Sequence, residues 1–134
     1  MMRDFKKDFS SLDQIFAFVD EHLSAPGIGP DTRNSVHFIV EELFTNMVKY
    51  GTSSRLDVTL AVRVEASKIT IELTDHDVEE FDPNSAPEID PSVPLQQRRI
   101  GGLGIHLVKQ MVDELRYSYA DRCSTITVVK NLGK

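Results

Sequence analysis

Apolar residues at Val36, Ile39, Val40, Leu43, Phe44, Met47 and Val48 recur at i, i+3, i+4, i+7 and i+8. That spacing predicts a long helix with one buried face, started by Asp31 or Thr32 and ended by Gly51. A shorter helix is predicted ahead of it. Ser10 or Ser11 is a suitable N-cap there, and Leu12, Ile15, Phe16, Val19 and Leu23 form the inner stripe. Residues 5–9 read as a first strand, and Ala25-Pro26-Gly27-Ile28-Gly29-Pro30 breaks the chain between the two helices. Alternation of Leu56, Val58, Leu60, Val62 and Val64, then of Ile69, Ile71 and Leu73, predicts strands over 55–65 and 68–74. Ala66-Ser67 joins them as a hairpin. Helical spacing returns at Ile105, Val108, Met111, Val112 and Leu115, and strands over 115–120 and 124–130 follow.

Between these elements, residues 75–100 carry no periodic apolar pattern, yet hold four of the six prolines and many acids. A loop of that length inside a compact domain is usually functional or mobile. The order β-α-α-β-β-loop-α-β-β does not alternate as βαβ units do. It fits an α+β fold: a two-layer sandwich with a mixed, mostly antiparallel sheet and helices on one face. At 134 residues the chain is expected to be one domain with a sizeable core.

Composition narrows the picture little. A hydrophobic fraction of 40% and a charged fraction of 27% are ordinary for a globular protein, and no apolar run approaches the ~20 residues that span a bilayer. The charged start, Met1-Met2-Arg3-Asp4-Phe5-Lys6-Lys7-Asp8, is unlike a signal peptide, so a cytoplasmic location is expected. Cys123 stands alone, which excludes an internal disulfide. The net charge of −6 argues against nucleic acid as a direct partner, and no membrane partner is expected. It does not argue against a nucleotide, which local donors can capture.

Three polar features are placed where a ligand could use them. Along one flank of the long helix run Glu42, Asn46 and Tyr50, with Lys49 beside them. An Asn oxygen is a hard ligand suited to Mg²⁺, and a carboxylate one turn earlier can act as a base; a solvated helix edge is the plain alternative. Asp75 ends a buried strand in Thr74-Asp75-His76-Asp77, either as a turn former or as the acceptor of a ligand's exocyclic amine. Gly101-Gly102-Leu103-Gly104 opens a helix, where free backbone N–H groups and close approach suit a phosphate, or where the glycines simply permit tight packing or a sharp turn. It is neither a dinucleotide-binding fingerprint nor a P-loop. Arg98 and Arg99 adjoin it, as phosphate ligands or as surface charge. His37, His76 and His106 lack metal-ligand spacing and read as structural.

In their order, Glu42-x-x-x-Asn46, Asp75 after a hairpin, a loop, and Gly102-Leu103-Gly104 resemble the Bergerat ATP-binding fold of the histidine-kinase-like ATPases. Within it, Glu42-Leu43-Phe44-Thr45-Asn46…Lys49-Tyr50-Gly51 and Gly102-Leu103-Gly104-Ile105…Met111-Val112-Asp113-Glu114 look most like the bacterial anti-sigma-factor serine/threonine kinases. The resemblance implies ATP and Mg²⁺ as cofactors, with Asn46 on the metal, Glu42 as catalytic base and Asp75 on adenine. It implies a lid over roughly 76–100 and phosphate contacts from Gly102, Leu103 and Gly104, with Lys49, Asp77 and Arg99 lining the site. It further implies an anti-sigma-factor antagonist phosphorylated on serine, a sigma factor as a second partner, and a homodimer. One departure stands out: the family's Asp-x-Gly box reads Asp75-His76-Asp77, which places bulk and negative charge beside the base. Two functions therefore compete, an ATP-dependent protein kinase and a noncatalytic partner-binding module of the same fold. The catalytic half of a histidine kinase ranks behind both.

Overall fold

In the computed structural model, which describes residues 1–24, 27–50, 56–78 and 102–132, period-2 segments become one sheet and period-3.6 segments become three helices. The elements are β1 (Met2–Phe5), α1 (Leu12–His22), α2 (Pro30–Tyr50), β2 (Val58–Val64), β3 (Lys68–His76), α3 (Gly102–Met111), β4 (Glu114–Ala120) and β5 (Cys123–Asn131). Strand order across the sheet is β1-β2-β3-β5-β4, and all four pairings are antiparallel.

Every second strand residue faces the helices. Phe5, Val58, Leu60, Val62, Ile69, Ile71, Leu73, Ile126 and Val128 are buried in one cluster with the apolar stripes of the helices. The row Leu60–Leu73–Ile126–Tyr117 crosses four strands in register, so the inner face is continuous. Alternate residues such as Arg63, Glu72, Arg116 and Ser118 are exposed on the other face. This is the two-layer α+β sandwich expected from the sequence.

The long amphipathic pattern forms α2. Val36, Ile39, Val40, Leu43 and Phe44 are fully buried, and Met47 nearly so. This helix packs on α1, α3 and β3, and so is the central element of the helical layer. Truncating any of its large core residues to alanine costs about 2–5 kcal/mol.

Several boundaries differ from the sequence reading. The first strand is Met2–Phe5 rather than 5–9, because Asp8 caps a 3-10 turn at Phe9–Ser11. Its Oδ1 accepts a hydrogen bond from Ser10 N at 3.0 Å, and Phe9 is left 48% exposed. On α1 the buried aromatic is Phe18, whereas Phe16 is half-buried and stacks on His37 with centroids 4.9 Å apart. Leu56 is exposed and precedes β2, which begins at Val58. Leu115 belongs to β4, since Val112 N bonds back to Val108 O and Asp113 N then joins Val129 O. Gly51, Arg55 and residues 79–101 lie outside the described residues. Among the described residues no helix is long and apolar enough to cross a membrane.

Candidate functional site

The apolar inner face turns polar at one end of β3. Asp75, the last inward-facing position of β3, is 3% exposed, and its partner across β5 is Ser124, also buried. Lys7, in the turn between β1 and the 3-10 segment, reaches Asp75 with Nζ 2.9 Å from Oδ1 and 3.0 Å from Oδ2. Both side chains are 4% exposed. The contact to Oδ2 has hydrogen-bond geometry, which leaves Oδ1 buried without a directional partner among the described residues. Burial pushes the Asp75 carboxyl above its ordinary range; the hydrogen bond and charge of Lys7, and His76, pull the other way. Desolvation wins that balance.

Asn46 lies on α2, which packs directly on β3. It is 6% exposed, and its Nδ2 is buried with no partner among the described residues. The sequence reading put it at a polar helix edge, but the structure places it inside. Buried side-chain amides are normally hydrogen-bonded, so this unpartnered donor is a candidate to meet a ligand or a water. Glu42, one turn earlier, is half-buried. Burial raises its carboxyl pKa, Glu41 adds to the rise, and Lys49 opposes it. Lys49 itself is exposed at the end of α2.

The N-terminus of α3 is Gly102, so the Gly102-Leu103-Gly104 segment forms its first turn, and α3 packs against α2. Its unpaired N–H groups and positive dipole end therefore belong to the layer that carries Glu42 and Asn46. The side chain of Leu103, Arg98, Arg99 and the segment beyond Val78 that was expected as a lid lie outside the described residues.

Asp77 takes a left-handed backbone, φ 56°, at the position where the resembled box has glycine. Asp tolerates that region better than most residues. Its side chain points outward to Arg122, whose Nε donates to Oδ1 at 2.7 Å. Arg122 sits in the two-residue β4–β5 turn, in which Asp121 and Arg122 both have positive φ. Val78 N bonds Arg122 O at 2.9 Å, and Tyr119 Oη donates to Val78 O at 2.7 Å. The charge of Asp77 is thus matched outside the inner face.

Lys7 was missed from the sequence. The available signal was its place two residues after Phe5 in the expected strand over 5–9, which puts both on one face; the structure instead puts Lys7 in the turn after β1. Arg122 gave no signal at all. The histidines have structural partners where described. His37 Nε2 lies 2.8 Å from Asp20 Oδ1, and His76 bridges Thr59 Oγ1 at 2.9 Å and Cys123 Sγ at 3.6 Å. A groove of about 660 Å³ lies elsewhere, on the open sheet face between Arg63, Glu72, Arg116 and Thr127.

The two orphaned polar atoms test what the site could hold. Asp75 Oδ1, within ion-pair range of Lys7 but outside any hydrogen bond among the described residues, can accept from an exocyclic amine. The unpartnered atom of Asn46 is Nδ2, a donor suited to a phosphate or water oxygen, and a hydrated Mg²⁺ would use its Oδ1.

No curated sequence matches this one. Among solved structures, the RsbU and RsbW domains of Rv1364c from Mycobacterium tuberculosis superpose with a TM-score of 0.71 at 12% identity, over 100% of this chain and 32% of that one. The chain therefore spans about a third of that protein's length. The SiaB–SiaC complex from Pseudomonas aeruginosa gives 0.65 at 16% identity, covering 98% and 89%. The blue-light-activated histidine kinase EL346 of Erythrobacter litoralis gives 0.59 at 15%, covering 92% and 41%. These likenesses carry the fold. Residues 5–130 match the family model described as the histidine kinase-like ATPase domain, and the chain belongs to that family.

Proposed function

We propose that the protein is a cytoplasmic ATP-dependent serine/threonine kinase that acts on a small antagonist protein and sequesters a sigma factor. The observation that carries this reading is the pair of buried polar side chains, Asn46 on α2 with its Nδ2 unpartnered among the described residues and Asp75 on β3, with Glu42 one turn from Asn46. In an interior that is mostly apolar, a buried amide nitrogen without a hydrogen-bond partner costs stability unless a ligand or water completes it.

In this reading Asp75 accepts the adenine amine and Asn46 Oδ1 holds Mg²⁺. The first turn of α3 donates backbone N–H bonds to phosphate. Mg²⁺, when bound, supplies charge neutralisation at the phosphates. Glu42 accepts the proton of the substrate hydroxyl, and its raised pKa brings it closer to the basicity that task requires. Lys49, exposed at the end of α2, adds positive charge; Arg99, a candidate phosphate ligand, lies outside the described residues. Phosphoryl transfer needs mostly positioning and electrostatics, so this sparse set is sufficient. The RsbW-containing and SiaB-containing neighbours, the latter recorded with SiaC, support a protein partner. A homodimer is part of the same proposal.

Incubation with Mg-ATP and the cognate antagonist protein should label a serine, and Glu42→Ala should abolish the label. Equal labelling by that variant removes Glu42 from the base role. The second reading, a noncatalytic partner-binding module, is favoured by the Lys7–Asp75 pair, which occupies the base-recognising carboxylate. Calorimetry with Mg-ATP separates the two: saturable binding in the micromolar range counts against the module.

A further inference from the structure

The N-terminal turn builds a charge into the site. Ser11 Oγ donates to Lys6 O at 2.7 Å, Asp8 N bonds the same carbonyl at 2.8 Å, and Asp8 caps the 3-10 segment. The backbone on both sides of Lys7 is therefore fixed. Its side chain runs inward beside buried Phe5 and ends on Asp75, where both partners are almost fully enclosed. An enclosed ammonium is costly and has no structural need to be there, since a methionine would fill the same space. What the ammonium does that methionine would not is act on the protonation state of the carboxylate.

We propose that Lys7 is a positioning and specificity-determining residue of the nucleotide site: it holds Asp75 as an ionised, acceptor-only group, so that the site selects a base with an exocyclic amine over one with a carbonyl at that place. The inference rests on the nucleotide reading above. An ionised carboxylate accepts from an amine and repels a carbonyl oxygen. A protonated carboxyl offers one O–H donor and loses that discrimination. The charges acting on Asp75 are Lys7 from the N-terminal turn and His76 from its own strand. On β5 it faces Ser124, flanked by Cys123. On α2, Glu42 interacts with Glu41 and Lys49, and His37 pairs with Asp20. None of these α2 groups is among the charges that shift Asp75. Lys7 is therefore the principal counterweight to desolvation.

The test is calorimetric titration of the full chain with Mg-ATP and with Mg-ITP, which carries a carbonyl in place of the amine, between about pH 5.5 and 8.5. In Lys7→Met the acid limb of ATP binding should move upward by about one pH unit or more, with affinity falling about tenfold per unit below it. The ATP-to-ITP ratio should narrow over the same range. Lys7→Arg should restore the wild-type profile. If Lys7→Met is too unstable to titrate, the double variant Lys7→Met/Asp75→Asn removes both charges, and should bind weakly with no pH dependence. Uniform weakening of Lys7→Met at every pH, or tighter ATP binding, overturns the inference. Failure of the wild type to bind ATP overturns the nucleotide reading, and the specificity role with it. Titration of the Asp75 carboxyl by NMR in the free protein then reports whether Lys7 still governs its ionisation.

Discussion

Arg122 Nε lies 2.7 Å from Asp77 Oδ1 and ties the β4–β5 turn to the end of β3. Three non-glycine residues with positive φ, Asp77, Asp121 and Arg122, meet there. Left-handed backbone costs an L-residue roughly 1 kcal/mol unless its side chain compensates. Asp77 compensates through Arg122, in an exposed pair worth about 0–1 kcal/mol. The usual preference for alanine over glycine should therefore invert. Asp77→Gly should change stability by less than about 1 kcal/mol, and Asp77→Ala should be less stable than Asp77→Gly by about 1 kcal/mol. Urea unfolding of the two variants checks the order, and an alanine variant as stable as the glycine one would remove the strain argument.

The same contact bears on nucleotide affinity. Because the Asp77 carboxylate is directed at Arg122 and solvent, it should not repel a bound nucleotide. Asp77→Gly should leave the Mg-ATP dissociation constant within about threefold of wild type. A gain of tenfold or more would mean that Asp77 obstructs the base after all.

Asn46 and Leu43 share α2 and are both buried, yet they should respond oppositely to truncation. Leu43→Ala empties core volume and should cost about 2–5 kcal/mol. Asn46→Ala removes an amide nitrogen that has no partner among the described residues, and should cost under about 1 kcal/mol. Mg-ATP affinity should follow the reverse pattern, falling at least about tenfold for Asn46→Ala. Unchanged affinity in a folded Asn46→Ala protein would take Asn46 out of the metal site.

Much of this was legible because burial writes a period into the chain. The Val36–Val48 stripe and the Ile69-Ile71-Leu73 alternation fixed α2 and β3, and with them the positions of Asn46 and Asp75. The periodic signal has no access to capping by a neighbour. Asp8 caps a 3-10 turn, so β1 is Met2–Phe5 rather than 5–9 and Lys7 lies in the turn after it, a placement that strand alternation does not encode. Leu115 kept helical spacing by coincidence, while the hydrogen bonds after Met111 had already passed to β5. The Asp77–Arg122 contact joins residues far apart in sequence and depends on a turn geometry that no local pattern encodes. Asn46 illustrates the remaining gap: spacing placed it on the flank of the stripe, and only tertiary packing decided that this residue is enclosed while Lys49 beside it stays exposed.

Glu42 gives a pH-dependent test in which stability and activity move apart. Its folded pKa is raised above the ordinary 4.5, chiefly by burial and then by Glu41, against Lys49. A raised carboxyl favours the folded state when protonated. Its stabilising contribution is therefore full below the unfolded pKa and is lost as pH rises through the folded one. Glu42→Gln mimics the protonated form at every pH. It should match wild-type stability in acid and exceed it near neutrality, by about 0.5 kcal/mol or less because the group is only half-buried. Catalysis needs the ionised form, so the acid limb of the wild-type rate should lie above the ordinary glutamate range, and Glu42→Gln should lose about 10²-fold or more in kcat. Denaturant titrations across the pH range, paired with phosphoryl-transfer rates, check both halves. A glutamine variant that is less stable at neutral pH would show that the Glu42 carboxylate is held by the fold rather than strained for function.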